Sequence, residues 1–246
     1  MTFDTGQLAT ARETKTIRQL TSAYRRHRFA ILFYSLMLTI GVTPFLRALG
    51  FDVMQGFLGL NLIAGALGAA ARTGVLMLVL AALFGSARLA GALFGAEVLF
   101  VVSEIVWIFV ACLATFGSVR YALHRGPVDG ERIHAALSAY VLIGIIFGVV
   151  YVSYERMWPG SFAVISGPGG FLLPRAVYFS FVTLATLGYG DIVPVSEPAR
   201  GTAILEAIGG QLYIAVLLAR LVALYTAQER RLTETEPVER ERRRAT

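Results

Sequence analysis

Apolar runs of about 20 residues recur along most of this chain, each closed by an arginine, an acidic residue or a Gly/Pro turn. A helix of that length crosses a hydrocarbon core of ~30 Å. The pattern predicts six spans, at Phe29–Leu49, Val53–Ala70, Gly74–Phe94, Val98–Val119, Ile133–Tyr154 and Ala199–Tyr225. Arg47 and Asp52 mark the far end of the first, and Arg72 stops the second. Arg88 lies inside the third, and Glu97 and Arg120 bracket the fourth. Between the fourth and fifth runs, "RYALHRGPVDGER" carries two turn signals, Gly126-Pro127 and Asp129-Gly130. Residues 121–132 thus read as a polar linker between a four-span domain, 29–120, and a second membrane domain, 133–226. Beyond the fifth run, "ERMWPGSFAVISGPGGFLLP" is too rich in Gly and Pro for a continuous helix and reads as a surface loop. Pro174 suits a first helical turn. The apolar stretch Arg175–Thr186 after it is helical in character but too short to cross, so it is expected to re-enter the membrane from one side. Residues 1–28 fit either a basic helix lying on a membrane surface or a disordered basic tail, and 227–246 form a charged tail expected to be partly disordered.

Composition agrees. The chain is 56% hydrophobic with mean hydropathy +0.66, against about 45–50% apolar residues in soluble domains. The fold class is all-α polytopic membrane protein. A net charge of +6 would be compatible with nucleic acid, but the basic residues sit in the tails and short links, which is an orientation signal and excludes a nucleic-acid footprint. All but five of the 22 Lys and Arg residues fall on one side when links are assigned alternately; the five are Arg47, Arg88, Arg156, Arg175 and Arg200. Both termini are then cytoplasmic in a plasma membrane of bacterial type, and the number of spans is even, six fitting better than four. The first 28 residues lack the apolar core of a signal peptide, and the run after them is too long for one. Cys112 is the single cysteine, so no intrachain disulfide forms. His27, His124 and His134 flank apolar runs without forming a pair at helical spacing. No cofactor, metal-catalytic centre or enzymatic chemistry is expected.

The stretch "VTLATLGYGDIVP" interrupts this design. Non-helical backbone at membrane depth is tolerated only where protein buries it or where it lines water. If Gly188 and Gly190 take positive φ, as glycine does without steric cost, the carbonyls of Thr186-Leu187-Gly188-Tyr189-Gly190 can turn to one side. Several chains facing one another would then stack rings of oxygen that replace the hydration shell of a cation. The Thr186 hydroxyl would add an inner ring, Asp191 would stand at the outer mouth, and Tyr189 would point away from the axis, against Tyr178 and Phe179.

The segment "YFSFVTLATLGYGDIVP" resembles the pore helix and selectivity filter of potassium channels, whose pattern is T-x-G-Y-G-D after an aromatic pair. Thr186, Gly188, Tyr189, Gly190 and Asp191 match it; Leu187 and Ala185 replace the usual valine and threonine and keep the carbonyl ladder. The resemblance covers about residues 132–226. It implies passive K⁺ conduction by a homotetramer, with K⁺ on the oxygens of Thr186, Leu187, Gly188 and Tyr189, in contact with membrane lipids. The alternative from another class is a secondary, ion-coupled potassium transporter, which is built from repeats within one chain; this sequence holds one filter.

The last span, "ILEAIGGQLYIAVLLARLVALY", resembles an inner helix of bacterial potassium channels. Gly209 and Gly210 stand either for a hinge or for close helix packing. Glu206 resembles a glutamate that some inner helices place behind the filter, with two roles open: hydrogen bonding to the pore helix or filter, or direct ion contact. Gln211, Ile214 and Leu218 are candidates for the cavity wall. The first four spans resemble a voltage-sensor domain in number and position only, because Val98–Val119 carries no Lys or Arg. Arg88, toward the outer end of its span, is expected to snorkel to the interface. The basic tails are expected to attract anionic lipid.

Overall fold

The computed structural model describes residues 27–51, 53–68, 71–95, 97–124, 129–165 and 170–244. The predicted amino-terminal helix or tail, the Gly126-Pro127 turn and the end of the carboxy tail lie outside them. Seven helices are present among the described residues: α1 Arg28–Ala48, α2 Met54–Gly68, α3 Ala71–Phe94, α4 Glu97–Ala122, α5 Gly130–Met157, α6 Leu173–Leu184 and α7 Glu197–Arg244. Two short strands, β1 Phe162–Val164 and β2 Ile192–Pro194, pair antiparallel with Phe162 opposite Pro194.

Among the described residues, five helices are long and apolar enough to cross a membrane, against six apolar runs in the sequence. The exception is α2, whose 15 residues rise about 22 Å at 1.5 Å per residue, short of the ~30 Å core. At the other extreme α7 is 48 residues long and continues through Arg244, past the predicted end at Tyr225. The predicted turn at Asp129-Gly130 is a helix start: Asp129 caps α5, its carboxylate accepting from the Arg132 N–H at 3.1 Å. Pro174 lies in the first turn of α6, as its missing N–H favours.

The chain divides into two compact units, residues 1–110 and 111–246, with α4 contributing to both. In the first unit, α1 and α2 share a polar seam inside an apolar pair. Asn61 donates to the Thr39 hydroxyl at 2.8 Å, and Thr39 in turn donates to the Ser35 carbonyl at 2.8 Å. Each buried donor is therefore spent within the pair. Between α3 and α4, Arg88 lies 3.9 Å from the Glu104 carboxylate, with side-chain exposures of 18% and 10%, and its guanidinium stands 5.1 Å from the Phe100 ring centroid. Arg88 thus does not snorkel; an opposite charge within the unit offsets the cost of keeping it at depth.

The second unit holds α6 between α5 and α7, and its packing depends on absent side chains. A methyl at Gly144 would lie 2.7 Å from the Phe181 ring, and one at Gly148 would lie 2.6 Å from Val177 Cγ2 and 2.8 Å from its Cα. The two glycines, one turn apart on α5, form the groove that seats α6. Around the far end, Tyr151, Val152, Phe162, Phe171, Phe179 and Ile192 form a buried cluster. Within it Phe162 and Phe171 stack at 4.2 Å and 5°.

Candidate functional site

The interrupting stretch starts where α6 stops. The Ala185 N–H bonds the Phe181 carbonyl at 3.0 Å and the Leu187 N–H bonds the Val182 carbonyl at 2.8 Å, so the loop leaves the helix on its own last carbonyls. Gly188 and Gly190 hold φ of 59° and 77°, the left-handed values their spacing predicts, and Thr186 holds 55°. Threonine there was not readable as left-handed: it is β-branched and costs more than glycine in that region. The outcome is left-handed backbone at every second residue from 186 to 190, which turns successive peptide groups in a way neither helix nor strand does.

Past the loop, β2 fastens the outer end. Ile165 donates to the Asp191 carbonyl at 2.8 Å, and Val195 and Ser196 donate to the Ser161 carbonyl at 2.8 and 3.3 Å. Glu155, at the end of α5, accepts from the N–H groups of Gly160 and Phe162 at 2.9 and 3.1 Å, fixing the turn that delivers β1. Residues 160–165 of the predicted loop therefore form one strand of an anchored ribbon.

Tyr178 and Phe179 differ in burial within the protomer. Adjacent residues on a helix face different ways. Phe179 is buried, its ring centroid 5.1 Å from Tyr151 and 5.4 Å from Phe162, whereas Tyr178 is exposed in the single protomer. Tyr189 is 66% exposed in the single protomer.

Glu206 is completely buried in α7, yet each carboxyl oxygen has a partner. The Tyr151 hydroxyl donates to Oε2 at 2.5 Å, and Oε1 is hydrogen-bonded to the Ser180 hydroxyl, which also donates to the Gly144 carbonyl at 2.6 Å. One carboxyl thus ties α5, α6 and α7 together behind the interrupting stretch. Tyr151 and Ser180 were missed in the sequence because 55 and 26 positions separate them from Glu206; Gly144 and Gly148 were legible as a small-x-x-x-small pair in "GIIFG".

Gly210 faces α6: a methyl there would lie 2.8 Å from both the Leu184 Cδ1 and its carbonyl oxygen, while one at Gly209 meets nothing within 4 Å. Helix α7 continues through both, so close packing is what Gly210 shows here. Gln211 donates to the Thr186 hydroxyl at 3.5 Å, and Gln211, Ile214 and Leu218 are all exposed on one stripe of α7.

Comparison with known proteins points the same way. Residues 139–227 match a family described as ion channel. The chain is 31% identical over 91 residues to the inward rectifier potassium channel Kirbac3.1 of Paramagnetospirillum magnetotacticum, covering 35% of this chain and 27% of that one. It is 34% identical over 89 residues to two pore potassium channel c of Oryza sativa subsp. japonica, covering 35% and 19% respectively. Protein LctB of Geobacillus stearothermophilus is 29% identical over 103 residues, covering 41% and 76%. The match spans about a quarter or less of the first two relatives, and no solved structure matches significantly.

Proposed function

We propose that this protein, whose residues 139–227 are those of an ion-channel family, conducts K⁺ passively through a pore formed by four copies of the chain. The observation that carries the reading is the alternation of left-handed backbone at Thr186, Gly188 and Gly190, directly after a 12-residue helix that cannot cross the bilayer. Such a backbone can present successive carbonyls to one axis, and oxygens so arranged replace the water that K⁺ sheds. One chain contributes a quarter of each ring, so the site is complete only in a tetramer. Asp191 faces the outer mouth, and Gln211, Ile214 and Leu218 line the inner cavity.

Both termini lie in the cytoplasm of a plasma membrane, with α2 counted as a short crossing that a locally thinned bilayer accommodates. Glu206 supports the filter and does not touch the ion. Ser180 has one proton and faces two oxygens, the Gly144 carbonyl and Glu206 Oε1; Glu206 as a neutral carboxylic acid would supply the second proton and satisfy both contacts.

Potassium flux into liposomes tests the reading. The wild type carries K⁺ in preference to Na⁺ down its gradient, with no coupled ion. Gly188→Ala inserts normally and abolishes that flux, because a Cβ at φ of 59° costs about 1–2 kcal/mol and turns a carbonyl out of line. Selective K⁺ flux through the variant would refute the filter assignment.

A further inference from the structure

Behind the inner helix runs a groove of about 290 Å³, lined by Val119, Ala122 and Leu123 at the end of α4 and by Gly209, Leu212, Tyr213, Val216 and Leu217 of α7. Its wall is apolar throughout, since the one polar group on these side chains, the Tyr213 hydroxyl, is spent on the Ala136 carbonyl at 2.6 Å. Gly209 opens the wall to the backbone, a methyl there having no neighbour within 4 Å. At 3.6 residues per turn this face of α7 is opposite the stripe of Gln211, Ile214 and Leu218, so the groove belongs to the membrane side of the helix and not to the ion path.

A guanidinium closes one end of it. Arg220, one turn beyond Val216 and Leu217, donates to the carbonyl of the groove residue Leu123, while its Nε is buried without a partner. No carboxylate among the described residues pairs with Arg220. Arg120, next to the groove residue Val119, is exposed. An apolar slot with an arginine at one end and a second arginine beside it in the chain is complementary to one kind of membrane molecule, a chain of methylenes attached to a phosphate.

We infer that this groove is a binding site for one anionic phospholipid of the cytoplasmic leaflet, an acyl chain lying against Gly209, Leu212 and Val216 and the phosphate held by Arg220 and Arg120. The lipid is then a wedge between the linker that follows α4 and the helix that lines the pore.

The test uses the purified full-length protein carrying Leu212→Trp, reconstituted in nanodiscs of phosphatidylcholine with a titrated fraction of phosphatidylglycerol, either lipid brominated on its acyl chains. Fluorescence is compared with the parent, which carries Trp107 and Trp158. Brominated phosphatidylglycerol is expected to quench the reporter at a far lower mole fraction than brominated phosphatidylcholine. Arg120→Gln and Arg220→Gln are each expected to reduce that preference by about fivefold, and Arg220→Lys to retain most of it. Quenching by brominated phosphatidylcholine, unchanged in the variants, shows that the groove is intact. Equal quenching by the two lipids would overturn the headgroup assignment, and no quenching by either would show the groove filled by protein, a neighbouring subunit included. None of these readings passes current, so the channel assignment stands or falls separately.

Discussion

Glu206 shows how a costly residue can be made useful at the scale of one side chain. A carboxyl without water is tolerable when neutral and fully hydrogen-bonded, and Tyr151 and Ser180 supply both bonds. Glu206→Gln keeps the shape and can reproduce them, its amide donating to Ser180 and its oxygen accepting from Tyr151. The expected loss of thermal stability is about 1 kcal/mol or less. Glu206→Ala strands the Tyr151 hydroxyl and opens a cavity, costing roughly 3 kcal/mol, with lower occupancy of the conducting filter in single-channel records. Infrared difference spectra of wild type against Glu206→Gln should contain the C=O band of a protonated carboxyl at neutral pH; its absence would mean that Glu206 is ionised.

At the scale of elements, α6 is held by three glycines that are not equivalent. Gly144 meets only ring atoms of Phe181, whereas Gly148 meets the Val177 backbone and Gly210 meets the Leu184 carbonyl. A ring can be trimmed and a backbone cannot. Gly144→Ala and Gly148→Ala should each destabilise by about 1–3 kcal/mol, measured by denaturation in detergent. Adding Phe181→Leu should restore much of the first loss, while Val177→Ala should restore little of the second. Gly210→Ala should disturb the filter by pressing on the end of α6, and Gly209→Ala should be neutral or favourable by up to ~1 kcal/mol through helix propensity. Equal effects at 209 and 210 on open probability would restore the hinge reading.

For the whole molecule, the pairing of Arg88 with Glu104 decides what the first unit can do. Each charge moved through the field yields about 2.3 kcal/mol per 100 mV, and steep gating takes about 3–4 such charges per subunit. The fourth span has no Lys or Arg between Glu97 and Arg120, and Arg88 of α3 faces its own counter-charge at 3.9 Å. Open probability should therefore vary only weakly with voltage. A conductance–voltage curve worth several charges per subunit, flattened by Arg88→Gln, would contradict this. Arg88→Gln alone should cost about 3–5 kcal/mol by isolating Glu104, and Arg88→Met with Glu104→Leu should recover most of it.

The run lengths, the basic links and the glycine alternation were sufficient to identify helices that cross, a stretch that cannot, and left-handed backbone at Gly188 and Gly190. Each is local, following from the energy of apolar segments in lipid or from the sterics of one residue. What needed the tertiary structure involves groups far apart in the chain. The β1–β2 ribbon joins residues near 163 to residues near 193, Glu206 meets Tyr151, Arg88 is matched by Glu104, and Gly210 is set against Leu184. Even Thr186 belongs here, because its left-handed φ contradicts its own preference and is imposed by the loop's bonds to α6. Burial makes a polar group or a missing side chain consequential, and burial depends on what the rest of the chain brings against it.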